Sequence, residues 1–126
     1  MKKNLFLLFF ACAFLANTMN AQEQKEEATP MPALKKEVFT VYGNCNMCKR
    51  AIEGNVKLLA GINEAVWNKE TDQMTVSFDP KVITFDAIKQ KIADTGYDSD
   101  THRATKEAYN NLPGCCQYDR PEIKVD

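Results

Sequence analysis

Val38-Phe39-Thr40-Val41-Tyr42-Gly43-Asn44-Cys45-Asn46-Met47-Cys48-Lys49-Arg50-Ala51-Ile52 contains the change of period that decides the fold. Val38 to Tyr42 is β-branched and aromatic, and its alternation puts Phe39 and Val41 on one face of a strand. Gly43-Asn44 punctuates the chain. From Met47 to Leu59 the apolar residues Ile52, Val56 and Leu59 recur at i, i+4 and i+7, which is helical spacing, and Gly61 is a stop signal.

Working outward, Ile62 to Asn68 reads as a second strand, with Ile62, Glu64, Val66 and Asn68 on one face and Ala65 and Trp67 beside them. Lys69 to Gln73 has turn composition, and Met74 to Phe78 alternates as a third strand, so 62–78 is a hairpin that Asp79-Pro80 ends. Thr84 is an N-cap candidate, with Asp86 in the first turn. Phe85, Ile88 and Ile92 form the buried stripe of a second helix closed by Gly96. A last strand over Tyr97–Arg103 would complete β-α-β-β-α-β. The predicted class is therefore α+β: a ferredoxin-like βαββαβ sandwich, an antiparallel sheet with two helices on one face. Thr105–Leu112 is expected to be a short further helix ahead of Pro113-Gly114-Cys115-Cys116.

Cys45-Asn46-Met47-Cys48 lies where a strand hands over to a helix. Two cysteines at that spacing across a helix start can aim both sulfurs at one point. The free first-turn amides and the positive end of the helix dipole favour the thiolate, the form that binds metal. Lys49 and Arg50 add positive charge nearby. Soft thiolates select Cu(I), Zn, Cd or Hg over Mg or Ca. A structural disulfide and a thioredoxin-like oxidoreductase compete with this reading. Thioredoxin-like sites resemble Trp-Cys-Gly-Pro-Cys, and this loop has neither that Trp nor a Pro between the cysteines.

With strand, loop, helix and Gly96-Tyr97 in view, Val38–Arg103 resembles the heavy-metal-associated domain family, which includes copper chaperones, amino-terminal domains of copper-pumping ATPases and a periplasmic mercury-binding protein. The family loop reads Gly-Met-x-Cys-x-x-Cys; here Tyr42-Gly43-Asn44-Cys45-Asn46-Met47-Cys48 matches both cysteines and puts Gly43 where the family has Met. The resemblance implies that Cys45 and Cys48 are metal ligands. It also implies that the buried support the Met gives the loop must come from another residue here or be missing, and that Tyr97 lies near the loop. Zn-selective members often carry an acid beside the first cysteine, and the neutral Asn44 tilts the expectation to Cu(I). The implied function is binding a soft ion and passing it by thiolate exchange to a metal-transporting membrane protein or another metal carrier, with no enzymatic step. The alternative is an envelope thiol-disulfide or structural disulfide module.

The amino terminus bears on the compartment. Lys2-Lys3, an apolar run Leu5–Leu15 and Asn17 to Ala21 follow the order of a secretory signal peptide, and the run is too short to span a bilayer as a helix. Cleavage after Ala21 would leave Gln22 first and a periplasmic or secreted chain without stable membrane insertion. Lipidation at Cys12 and an uncleaved anchor are the competing readings. Residues 22–36, charged and holding Pro30 and Pro32, are expected to be a flexible linker, 37–104 the domain, and 105–126 a cysteine-containing tail. With 16 basic and 17 acidic residues and no basic block, nucleic acid is not an expected partner. One histidine, His102, leaves no room for a Ser-His-Asp set, and no Gly-rich phosphate loop is present. His102 is expected to be ordinary surface, Met47 to face out or pack, and Asp94, Asp98 and Asp100 to line a solvated edge.

Cys115 and Cys116 have no counterpart in the family domain. Adjacent Cα atoms lie about 3.8 Å apart, below the roughly 4.4–6.8 Å usual for a disulfide, so a bond between these two is disfavoured. A strand of six residues carries the chain about 20 Å from the loop, and a helix over 105–112 returns about 12 Å. Pro113 to Cys115 add about 10 Å if extended. Cys115 or Cys116 can therefore reach Cys45 and Cys48 as a third or fourth thiolate; two free or externally paired tail cysteines are the competing reading.

Overall fold

The computed structural model describes residues 31–122. The expected signal peptide and residues 22–30 of the expected linker lie outside the described residues.

Strand β1 is Lys35–Thr40, α1 Asn46–Lys57, β2 Ile62–Trp67, β3 Gln73–Phe78, α2 Phe85–Asp94 and α3 Lys106–Asn110, followed by a 3-10 turn at Gly114–Cys116. The sheet is antiparallel in the order β1-β3-β2, with Phe39 opposite Met74 and Trp67 also opposite Met74. β1 starts at Lys35, so the chain is already extended two residues before the expected domain boundary at 37.

Phe39, Ala65, Trp67, Met74, Val76 and Phe78 form the buried face of the sheet, and Ile52 and Val56 of α1 and Ile88 and Ile92 of α2 pack on it. Val38 and Val66 point the other way and are exposed, so both helices cover one face. A bulge between Ile62 and Glu64 shifts the β2 register, which sets Glu64 and Val66 outward. Ile62 stays packed against the core and Ala65 and Trp67 are fully buried. Thr84 caps α2 as expected, its hydroxyl accepting the Ala87 N–H at 3.1 Å. Gly96 follows at φ +108°, a left-handed conformation that favours glycine, and a Cβ there would lie 2.8 Å from the Ala108 carbonyl oxygen.

The expected strand Tyr97–Arg103 is reduced to a single bridge, Val41 with Ser99. Tyr42 N–H still donates to Asp98 O at 2.9 Å and Asp100 N–H to Thr40 O at 3.1 Å, so the segment lies on the free edge of β1. The chain then turns: Ser99 N–H donates to His102 O at 2.8 Å, and the His102 N–H to Ser99 Oγ at 3.1 Å. Asp98 drives the turn, because its buried carboxylate accepts the Ala104 N–H at 2.7 Å and draws residue 104 back toward residue 98. The acidic cluster is thus corrected: Asp94 and Asp100 are exposed, but Asp98 is fully buried.

Residues 105–122 pack on the domain. Arg120 donates to both Asp98 oxygens, at 2.8 and 2.7 Å, and to Ala104 O at 2.6 Å. Tyr118 is buried, its hydroxyl accepting the Asp98 N–H at 2.7 Å and donating to Gly96 O at 3.0 Å. Tyr109 Oη donates to Tyr118 O at 2.6 Å, and the Tyr118 ring lies between Tyr97 and Tyr109. The further helix is shorter than expected, Lys106–Asn110, with Thr105 as its N-cap.

Candidate metal centre

Cys45 is the N-cap of α1, in extended conformation at φ −147° and ψ 170°, and its sulfur accepts the Cys48 N–H at 3.4 Å. A sulfur in this position faces the unpaired amides of the first turn. Cys48 follows one turn on, with 3.1 Å between its Sγ and that of Cys45. Its thiol donates to Asn44 Oδ1 at 3.2 Å, so Asn44 orients the second cysteine. Cys48 is buried, while Cys45 is partly exposed.

Gly43 explains that burial. A Cβ at Gly43 would lie 2.9 Å from Trp67 Cη2, 3.0 Å from Trp67 Cζ2 and 3.3 Å from the Cys48 Cβ. The indole of Trp67 therefore occupies the space under the loop that a side chain at position 43 would take. The ring is fully buried and its Nε1–H donates to Val41 O at 2.8 Å.

The 3-10 turn brings the tail cysteines to the same place. Cys116 Sγ is 3.5 Å from Cys45 Sγ and fully buried; Cys115 Sγ is 4.0 Å from Cys116 Sγ, exposed, and 3.7 Å from Met47 Sδ. The sulfurs of Cys45, Cys115 and Cys116 all lie within 4.8 Å of one another. The expected return of the tail is found, but by a tighter route, since the chain turns at Asp98–His102 and does not run the length of a strand.

Burial works to raise the Cys45 thiol, but hydrogen bonds from the Cys48 thiol and amide, the Cys116 thiol and the Met47 amide outweigh it and bring it to about 7. Cys116 is pushed up to about 12, first by burial and then by the Cys48 thiol beside it. Tyr97 is raised above its ordinary value by burial and by the nearby Cys116 and Cys48 thiols. Its hydroxyl is buried, with no hydrogen-bond partner in good geometry among the described residues. The donor set is all soft sulfur, which fits a Cu(I)-, Zn-, Cd- or Hg-type ion and not a hard one.

The profile of the heavy-metal-associated domain matches residues 39–98. Copper chaperone CopZ of Staphylococcus aureus is 32% identical over 66 residues, which are 52% of this chain and 97% of CopZ. The chain belongs to the heavy-metal-associated domain family. A zinc-transporting ATPase of Synechocystis sp. is 37% identical over 70 residues, 55% of this chain, although the match spans only 10% of that ATPase. The crystal structure of oxidised MerP from Ralstonia metallidurans CH34 matches with a TM-score of 0.51 and 25% identity, covering 53% of this chain and 94% of MerP. This is a metal-binding heavy-metal-associated domain, and domains of this kind are not enzymes.

Several site residues were not legible beforehand. The Lys49 ammonium is engaged by Glu53 and by Trp67 O. His102 pairs with Asp86 at 3.0 Å. Asn44, Trp67 and Asp98 carry no local motif that marks them as supports of the site.

Proposed function

We propose that this domain is the working part of an exported soft-metal carrier, which holds Cu(I) between Cys45 and Cys48 and passes it on by thiolate exchange. The observation that carries the reading is the Cys45–Cys48 pair, 3.1 Å apart at the start of α1. Cys45, partly exposed and with a thiol near neutrality, is the sulfur that an incoming thiolate meets first. Cys48, buried and held by Asn44, leaves second. The partner is a metal-transporting membrane protein or another metal carrier. Names among the relatives that specify copper or zinc, together with the neutral Asn44, support a soft ion and favour Cu(I). Among the described residues no helix is long and apolar enough to cross a membrane.

Replacing Cys45 and Cys48 together by Ser is expected to abolish tight Cu(I) binding in competition with a Cu(I) chelator. Retention of wild-type affinity would place the site elsewhere. Intact mass of the protein from its native host is expected to begin at Gln22; a lipid on Cys12 would overturn the soluble-carrier reading.

A further inference from the structure

The carrier reading uses two of the four thiols among the described residues and leaves unexplained why a tail should be welded to the domain. Its anchor is expensive in design terms: a fully buried Asp98 paired with Arg120, and a buried Tyr118 bonded to the backbone at residues 96 and 98. The result of that anchor is the position of Cys116. A thiol that is only a small core residue can sit anywhere in an apolar pocket. This one ends 3.5 Å from Cys45 Sγ, where the core meets the metal loop. Cys115 follows on the outside, within 4.8 Å of both Cys45 and Cys116.

We propose that the C-terminal segment completes the metal site: Cys116 is a third protein thiolate for the ion held by Cys45 and Cys48, and Cys115 is the fourth for an ion that takes four ligands. This deepens the carrier reading and rests on it for the first two ligands. Sulfurs around a tetrahedral ion at about 2.3 Å are about 3.8 Å apart. The separations along the series Cys48–Cys45–Cys116–Cys115 are 3.1, 3.5 and 4.0 Å, but Cys48 is not in the group of sulfurs within 4.8 Å of one another, so gathering all four around one ion needs side-chain movement of about 1 Å or more at Cys48.

A second feature points the same way. Tyr97 is 1% exposed, and its hydroxyl lies beside the Cys116 and Cys48 thiols with no hydrogen-bond partner in good geometry among the described residues. A buried hydroxyl left unpaired costs free energy. Neutral thiols are weak acceptors, whereas thiolates accept strongly. The Tyr97 hydroxyl is therefore placed to donate to sulfur once ion binding has displaced the thiol protons to solvent. It meets the added negative charge that a third thiolate brings into a buried site.

The experiment uses the full chain lacking only residues 1–21, reduced and anaerobic, with Cu(I) and Cd(II) as separate probes. X-ray absorption of the Cu(I) form is expected to count three sulfur neighbours in the wild type, three in Cys115→Ser and two in Cys116→Ser. The Cd(II) form is expected to count four in the wild type and three in Cys115→Ser. Cys116→Ser should also weaken Cu(I) by roughly 10²-fold, the order gained when an added ligand is intramolecular. Because Cys116 is a core residue, Cys116→Ala is run beside it, with far-UV circular dichroism of the apo forms as the folding check. Two sulfurs in wild-type Cu(I) protein, or equal affinity in wild type and Cys115→Ser/Cys116→Ser, would overturn the proposal and leave the two-thiolate carrier standing. Wild-type affinity retained by Cys45→Ser/Cys48→Ser would instead overturn the carrier reading, and this proposal with it.

Discussion

Gly43 and Trp67 test the idea that an indole supports the metal loop where relatives use a methionine. In Gly43→Ala the new Cβ would lie 2.9 and 3.0 Å from two indole carbons. Carbon atoms rest at about 3.5–4.0 Å, so the ring or the loop must give by about half an ångström or more. The ring has little freedom: it is fully buried, its Nε1–H is bonded to Val41 O, and its backbone N–H donates to Glu53 Oε1 at 2.9 Å. The loop cannot retreat easily either, because the Cys48 Cβ is the third neighbour at 3.3 Å. Overpacking of this kind costs about 1–3 kcal/mol. At about 4–8 °C per kcal/mol for a domain of this size, a mid-range cost of about 2 kcal/mol lowers Tm by about 8–16 °C. Thermal and urea unfolding followed by circular dichroism measure it. The second arm is a double-mutant cycle. Trp67→Leu empties the space and is destabilising alone, but Gly43→Met refills it, so the pair should be more stable than the sum of singles by about 1 kcal/mol or more. Strict additivity, or a Gly43→Ala protein within about 0.5 kcal/mol of wild type, would refute the reasoning.

Asp98→Asn leaves Arg120 without its charge partner and is expected to cost about 3 kcal/mol in urea unfolding; a loss confined to a few tenths would mean that the tail is held by Tyr118 alone. Glu53 has a carboxyl that burial would raise, but the Lys49 hydrogen bond, the Trp67 N–H and the charges of Lys49 and Lys57 hold it below the usual value of 4.5. Its folded pKa is depressed, so its contribution is complete above the ordinary carboxylate pKa and is lost as pH falls through the folded one. Glu53→Gln should therefore be less stable than wild type at pH 7 by about 1.5 kcal/mol, with the gap closing below about pH 4. A gap independent of pH would show that the effect is shape and not charge.

The elements that position Cys45 and Cys48 were legible because each is written in local periodicity. Phe39 and Val41 alternate, Ile52 and Val56 recur at helical spacing, and Thr84 and Gly96 punctuate the second helix at the residues expected. The last strand failed for a physical reason that local pattern does not hold. Tyr97 to Arg103 has residues a strand tolerates, but the carboxylate of Asp98 is satisfied by Ala104 N–H and Arg120, and those bonds fold the segment into a turn. Asp98 was read as solvated because buried ionised acids are rare without a partner, and its partner lies 22 residues on.

By itself the sequence determined the first three strands and the two long helices in order, the Cys45-Asn46-Met47-Cys48 pair at a helix start, and the soft character of the donors, since side-chain period, capping chemistry and ligand hardness are properties of neighbouring residues. Chain arithmetic even showed that Cys115 and Cys116 could reach the loop. Only the tertiary structure decided that Cys116 does so as a buried sulfur beside Cys45, that Trp67 stands where Gly43 has no side chain, and that the tail is part of the domain. Those three facts depend on contacts between residues 16 to 71 positions apart, and such contacts form only when burial of the core has already fixed which surfaces meet.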